Sequence, residues 1–231
     1  MAAQGPILRL DHVGRTFDEG RIVGLDDVSL DFARDGLVAI HGPSGSGKST
    51  LINLVAGLDQ PTRGVVSFDG QPSPTPAQWT ALRASRIGIV FQDFNLLPTL
   101  TAAENVEAAM FGRVRAAAER RRQAMARLAD VGVEACASRL PPQLSGGERR
   151  RVAIARGLAN NPDILLADEP TSNLDSVSGA AVMDLLVRLH DRGGMAMLIV
   201  THDQDLIRRC PRRVRLLDGR VAEDVRRRRA A

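Results

Sequence analysis

The chain has 231 residues, 44% of them hydrophobic and a quarter charged, with 31 Lys and Arg against 27 Asp and Glu for a formal net charge of +4. That is enough apolar material for a buried core and too much for a disordered chain. Only 3% of residues are aromatic and none is tyrosine, so there is little material for a base-stacking nucleic-acid surface and the basic balance is not read as one.

The arginines cluster at Arg120–Arg122, Arg149–Arg151, Arg208–Arg209 and Arg226–Arg229, and they read as a solvated basic face. No run approaches the ~20 apolar residues of a membrane span; the strings around Leu165 and Leu198 have strand length. Cys136 and Cys210 are far apart without metal-ligand spacing, and no apolar signal segment opens the chain, so buried structural thiols and a reducing cytoplasmic location are expected.

In chain order, Ile7 to Phe17 and Val28 to Phe32 alternate apolar and polar residues around Asp-Glu-Gly and Asp-Asp turns, as antiparallel strands do. Phe17 falls at a strand tip. Its ring is either a stacking surface for a purine or a half-buried strand residue, and the local pattern leaves both open. The short apolar run Leu37 to Ile40 then leads into HGPSGSGKST, His41 to Thr50, followed by the helical segment Leu51 to Ala56. This strand, glycine loop, helix order is the context of a P-loop.

Gly42, Gly45 and Gly47 allow a tight turn whose N–H groups aim at a phosphate, with Pro43, Ser44 and Ser46 filling the loop and the helix dipole adding positive potential. Lys48 is placed to reach the β- and γ-phosphates, the Ser49 hydroxyl to ligate Mg²⁺ and Thr50 to donate toward the α-phosphate. Lys48 is also the only lysine in the chain. A sequence that uses arginine everywhere else keeps a compact ammonium where a planar guanidinium fits poorly among phosphates.

Pro61 to Gly64 is read as a turn, Val65 to Phe68 as a strand, and the prolines at 72, 74 and 76 as an irregular connection. Arg86 to Phe91 reads as a buried strand ending on Gln92, within reach of a metal or an attacking water, although a lone glutamine decides nothing. Phe94 to Arg139 is rich in alanine, arginine and leucine at helical spacing, with a capping box at Thr101–Glu104 and an amphipathic helix over Arg115 to Val131. The spacing predicts a helical insertion in an α/β lobe, closed by Pro141 and Pro142.

Ser145, Gly146 and Gly147 then open a patterned helix with Val152, Ile154, Ala155 and Leu158 on one face, a second anion-ready helix N-terminus. Ile164 to Ala167 is an apolar strand that ends in Asp168 and Glu169. A strand-terminal aspartate beside a P-loop holds Mg²⁺ through water, and the glutamate after it is placed to polarise a nucleophilic water.

The ordered set GPSGSGKST, FQ at Gln92, LSGGE, ILLADEP, SNLD and VTHD resembles the nucleotide-binding subunit of ATP-binding cassette (ABC) transporters, from Ile7 to about Val221. The resemblance implies an α/β fold: a P-loop NTPase core with an antiparallel β subdomain and an α-helical subdomain inserted over about 94–157, the whole of 1–231 forming one ATPase domain. It implies that Gln92 is the Q-loop residue, that Ser145 to Gly147 are the signature, that Asp168 is the Walker B aspartate and that Glu169 is the catalytic base. Asp175 lies in the implied D-loop, and His202 is the implied switch histidine at the γ-phosphate. Phe17 matches the adenine-stacking position, where the family more often has tyrosine. ATP and Mg²⁺ are the implied cofactors, with Ser49, Gln92 and Asp168 around the metal.

The family works as a head-to-tail dimer sandwiching two ATP, the signature of one subunit facing the P-loop of the other, and passes the motion to membrane permease subunits. Peripheral attachment to the inner membrane face through a permease is therefore expected, and no nucleic-acid partner. FQDFNLLPTLTAAENV and LADEPTSNLD look most like ATPases of the lipoprotein-release and macrolide-export group. An amino-acid importer or a cell-division relative is the alternative, and a soluble ABC ATPase acting on nucleic acid or ribosomes is disfavoured by the short chain. His41 before the loop, Gly157 in the signature helix and the Arg226–Arg229 tail depart from the family pattern. Gly157 should cost its helix roughly 1 kcal/mol against alanine unless a neighbour packs closely there.

Overall fold

The computed structural model describes residues 5–226. The chain divides into two compact units, Met1–Arg83 with Gly194–Ala231, and Ala84–Gly193. The expected helical insertion, 94–157, lies wholly inside the second.

The first unit opens with an antiparallel sheet of β1 (Leu8–Phe17), β2 (Ile22–Phe32), β4 (Arg63–Phe68) and β5 (Gln71–Pro72), in the order β2-β1-β4-β5. The alternation in β1 buries Leu8, Leu10 and Val13 and leaves Arg9 and Asp11 exposed, the pattern of a sheet with one dry face. Asp26-Asp27 is not the expected turn. β2 runs through both residues, and the extra residue is absorbed as a register shift against β1, with Asp27 at φ 59°.

The unit's other strands are β3 (Leu37–His41), β8 (Ala196–Val200), β9 (Arg212–Leu217) and β10 (Arg220–Arg226), in the order β10-β9-β3-β8. β3 pairs in parallel with β8 and β9, and the buried runs Leu37–Ile40 and Ala196–Val200 show why: parallel strands covered on both faces read as continuous apolar strings. Helices α1 (Lys48–Val55), α2 (Pro76–Ser85) and α7 (Gln204–Arg209) complete the unit. The expected irregular connection at the prolines is corrected by α2. Pro76 occupies its first turn, where a missing N–H costs nothing; Thr75 and Gln78 cap each other reciprocally, and Trp79 drops onto Gly57 and meets Phe68 edge to face at 6.4 Å.

In the second unit the parallel pair β6 (Ile87–Val90) and β7 (Ile164–Asp168) is joined by helices α3 (Ala102–Ala108), α4 (Ala117–Asp130) and α5 (Gly146–Gly157), and followed by α6 (Ser176–Gly193). Thr101 and Glu104 form the expected capping box at the start of α3. Asn105, fully buried, satisfies its amide on the carbonyls of Leu97, Leu100 and Thr101, which fixes the loop before the helix. α4 covers nearly the expected span and buries only Ala124 and Leu128, one stripe on an otherwise solvated helix. Both cysteines are buried and free; burial pushes the Cys210 thiol up to about 12, as an inert structural thiol requires.

Candidate functional site

The loop from His41 to Gly47 leaves the C-terminal end of β3 and turns into α1. It is held from two sides within its unit. Gly219 N–H, in the β9–β10 turn, donates to Ser46 O at 3.2 Å, and a Cβ at Gly42 would lie 2.2 Å from Leu216 O. Gly47, at φ 99°, caps α1 where a side chain would strike Gly24 O at 2.3 Å. These two glycines are therefore demanded by close backbone approach and not only by conformational freedom. At Gly45 nothing lies within 4 Å of the same direction. The loop is walled below and open above, as a cradle for a group outside the protein must be.

The Lys48 ammonium donates to Gly42 O at 3.0 Å and Pro43 O at 2.8 Å, so the chain's one lysine is held at the mouth of this loop. Ser46 Oγ is buried without a hydrogen-bond partner, while Ser49 is exposed and Thr50 half-buried in the first turn of α1. A Cβ at Gly24 would touch both the Phe17 ring at 2.8 Å and Thr50 Oγ1 at 2.9 Å, which places Phe17 beside the first turn of α1. Phe17 is 36% exposed. One face of its ring carries the Arg15 guanidinium at 4.5 Å, itself paired to Asp59 at 2.8 Å. Because β3 and β8 pair in register through Ile40 and Val200, exposed His202 emerges at the same strand ends as the loop, after Thr201 N–H donates to Ile40 O.

His41 is the partly buried residue at the loop entry, and burial, with Arg215 nearby, pushes its imidazole below its ordinary value.

In the second unit β6 and β7 pair through Val90 and Ala167, so Gln92 and the Asp168–Glu169 pair leave the same strand ends. Glu169 sits at φ 46°, a left-handed conformation rare outside glycine. Its carbonyl accepts from Ser172 N–H at 3.0 Å and Ser172 Oγ–H at 2.7 Å, which closes the turn. Asp175 accepts from Val177 and Ser178 N–H at 3.1 and 2.9 Å and so caps α6; these bonds hold its carboxyl below the usual range.

Ser145 caps α5: its Oγ accepts from Glu148 N–H at 3.2 Å, while Glu148 accepts from Ser145 N–H at 2.7 Å. Gly146 and Gly147 follow, with the Leu174 side chain and Asn173 O near the Cβ direction of the first and the Ser178 side chain near that of the second. The start of α5 borders a cavity of about 350 Å³ lined by Ser145, Gly147, Arg151 and Ser178 among others.

One residue of this helix escaped the sequence reading. Arg150, assigned above to a solvated basic run, is 0% exposed, which corrects that assignment. Its two terminal nitrogens donate to Phe91 O at 2.7 Å, Gln92 O at 2.8 Å, and Ser172 O and Oγ at 3.3 Å, with the Phe94 ring 4.5 Å from the guanidinium. Burial lowers its pKa to about 10 against the opposing fields of Asp93 and Asp168, so it is charged at neutral pH. Helical phase gave no signal for it: Arg149, Arg150 and Arg151 each lie one turn before two buried residues of the run Val152 to Ala155. Of the Arg226–Arg229 tail, positions 227–229 lie outside the described residues. Among the described residues no group of three or more His, Cys, Asp or Glu is placed to hold a metal.

A family model described as ABC transporter matches residues 25–172. The lipoprotein-releasing system ATP-binding protein LolD of Bordetella pertussis is 44% identical over 224 residues, which cover 95% of this chain and 97% of that protein. The uncharacterized ABC transporter ATP-binding protein MJ0796 of Methanocaldococcus jannaschii is 43% identical over 226 residues, 94% of this chain and 96% of that one. The dimeric post-hydrolysis structure of the MJ0796 cassette bound to ADP and Pi matches with a TM-score of 0.88 over 96% of this chain and 99% of the other, at 42% identity. The cbiO1 structure from Clostridium perfringens, part of the transporter complex cbiONQ, matches with a TM-score of 0.87 at 30% identity, over 96% and 89%.

Proposed function

The chain belongs to the ABC transporter family, and on that premise we propose that it is the ATP-hydrolysing subunit that drives a separate membrane permease, in an export system of the kind named for its lipoprotein-releasing relative. The observation that carries the reading is Lys48, the only lysine, bonded to the carbonyls of Gly42 and Pro43 above a helix N-terminus and beside a loop open over Gly45. An ammonium and a row of N–H groups at one helix end form a site for a triphosphate.

Residues 42–50 bind the phosphates, and Phe17 offers its free face to adenine while Arg15 covers the other. Ser49, Gln92 and Asp168 are the residues that would hold Mg²⁺, which when bound offsets the charge on the β- and γ-phosphate oxygens. Glu169 orients the attacking water and accepts its proton; Lys48 and His202 stabilise the charge that develops on the γ-phosphate. Ser145 Oγ, which accepts from Glu148 N–H at the first turn of α5, serves with Gly146 and Gly147 the nucleotide of a second subunit. Asp175 shapes the adjoining segment as the cap of α6. The arrangement proposed is a homodimer around two ATP, with the helical segment 94–157 as the inserted subdomain that meets the permease. Among the described residues no helix is long and apolar enough to cross a membrane; the proposed place of the subunit is against the cytoplasmic side of that permease.

Lys48→Ala tests the reading. ATP hydrolysis should disappear and ATP affinity fall sharply while circular dichroism and melting temperature stay close to wild type, because among the described residues Lys48 bonds only to its own loop. Undiminished hydrolysis would overturn it.

A further inference from the structure

We infer that Arg150 is a positioning residue for ATP cleavage, one guanidinium that sets the Gln92 segment and the Glu169 turn in register with the helix begun by Ser145. It is the fifth residue of α5 and fully buried. Its Nη1 donates to Phe91 O and its Nη2 to Gln92 O, so the two peptide groups through which the chain leaves β6 are fixed from α5. Orientation of the Gln92 peptide sets where its side chain starts. The same Nη2 reaches Ser172 O and Oγ, and that hydroxyl donates to Glu169 O at 2.7 Å. Glu169 holds a left-handed φ of 46°, a conformation that persists only where the surroundings over-determine it. Ser172, with Arg150 behind it, supplies that constraint.

The planar fork suits this task. A guanidinium presents donors in two directions within one plane, whereas an ammonium is a point charge on a flexible stem. Phe94 lies against the guanidinium at 4.5 Å, and from the same helix Arg156 donates to Phe94 O at 2.8 Å and to Asn95 O, so the segment around Gln92 is held at four positions, 91, 92, 94 and 95. A bare structural staple needs no contact with both functional segments. Arg150 makes both through a single side chain. The inference rests on the reading that Gln92 and Glu169 act on the nucleotide.

The test compares full-length wild type with Arg150→Lys, Ser172→Ala and Glu169→Gln, measuring kcat and KM for Mg–ATP together with melting temperature. Arg150→Lys keeps the charge and loses the fork; kcat should fall about tenfold or more with KM within about twofold, because cleavage geometry and not phosphate binding is disturbed. The hydrogen bonds of Arg150 go to residues within 84–193 and none to the loop that carries Lys48. A lower melting temperature with kcat per folded molecule unchanged would mean a staple only and overturn the inference. If Arg150→Lys does not fold, Ser172→Ala decides: kcat lower by about threefold or more at unchanged KM supports the relay to Glu169, and wild-type kcat overturns it. Glu169→Gln separates the two failures. Wild-type turnover in that variant removes the reading of the site, whereas its inactivity beside a fully active Arg150→Lys removes the inference alone.

Discussion

A Cβ added at Gly88 would lie 2.2 Å from Gly157 O, a backbone atom that cannot swing aside, whereas one added at Gly157 would meet Leu165 Cδ1 at 3.1 Å and Ile89 O at 3.3 Å. The two glycines form one close approach of α5 onto β6 and β7, and they respond differently to the same methyl group. Gly88→Ala should destabilise the protein by roughly 2–3 kcal/mol, the cost of overpacking a site with no slack. At Gly157 the helical gain of about 1 kcal/mol is offset by a squeeze of similar size, so the net change should stay within about 1 kcal/mol. Thermal or urea unfolding of the two variants checks both, and equal destabilisation would show that the approach is looser than the contacts imply. The helix penalty expected at Gly157 thus meets its stated exception: a neighbour does pack there.

At the scale of an element, α5 depends on its first turn. Glu148 accepts from Ser145 N–H, and that bond first, then the Cys136 thiol at 3.1 Å and Ser145 Oγ, hold its carboxyl down to about 2. The sign follows from the lowered value. A carboxyl whose folded pKa lies below its ordinary 4.5 contributes stability that is complete above that pH and lost as pH falls through about 2. Glu148→Gln keeps a capping side chain without the charge that favours a helix N-terminus. Its melting temperature should therefore lie below wild type at neutral pH, with the gap closing between about pH 4.5 and 2. A gap constant over that range would separate Glu148 from the cap.

For the whole molecule the two anion-ready helix ends, at α1 and α5, carry the same consequence. If Ser145 to Gly147 serve the nucleotide of a second subunit, ATP links two chains and mass action raises the dimer. If Glu169 is the base, as proposed, Glu169→Gln should bind Mg–ATP without cleaving it, and the dimer should accumulate with ATP and not with ADP, visible by gel filtration. Ser145→Arg should cancel the shift by filling the cavity beside α5. Dimerisation indifferent to Ser145→Arg would take the signature helix out of the nucleotide site. The dimeric, ADP- and Pi-bound form of MJ0796, at 42% identity, makes this the natural assembly to test.

The local chemistry was legible because it depends on neighbours in sequence: glycines at fixed intervals before Lys48, a carboxylate pair ending an apolar strand at Asp168, a capping box at Thr101–Glu104. Short spacings, read against strand and helix periods, placed the glycine loop, Gln92, Ser145 and Asp168–Glu169 at strand ends or helix starts, whereas Asp175 and His202 came only with the resemblance; homologous sequences agree with the family so identified. What depends on distant partners was not legible. Asp26-Asp27 looks like a turn until β1 pairs across it and absorbs the extra residue as a bulge, and three prolines look irregular until Trp79 finds Gly57 and Phe68. Arg150 reads like Arg149 and Arg151 beside it. Its burial is decided by carbonyls 22, 58 and 59 residues away, and a buried guanidinium is tolerated only where such acceptors converge on it.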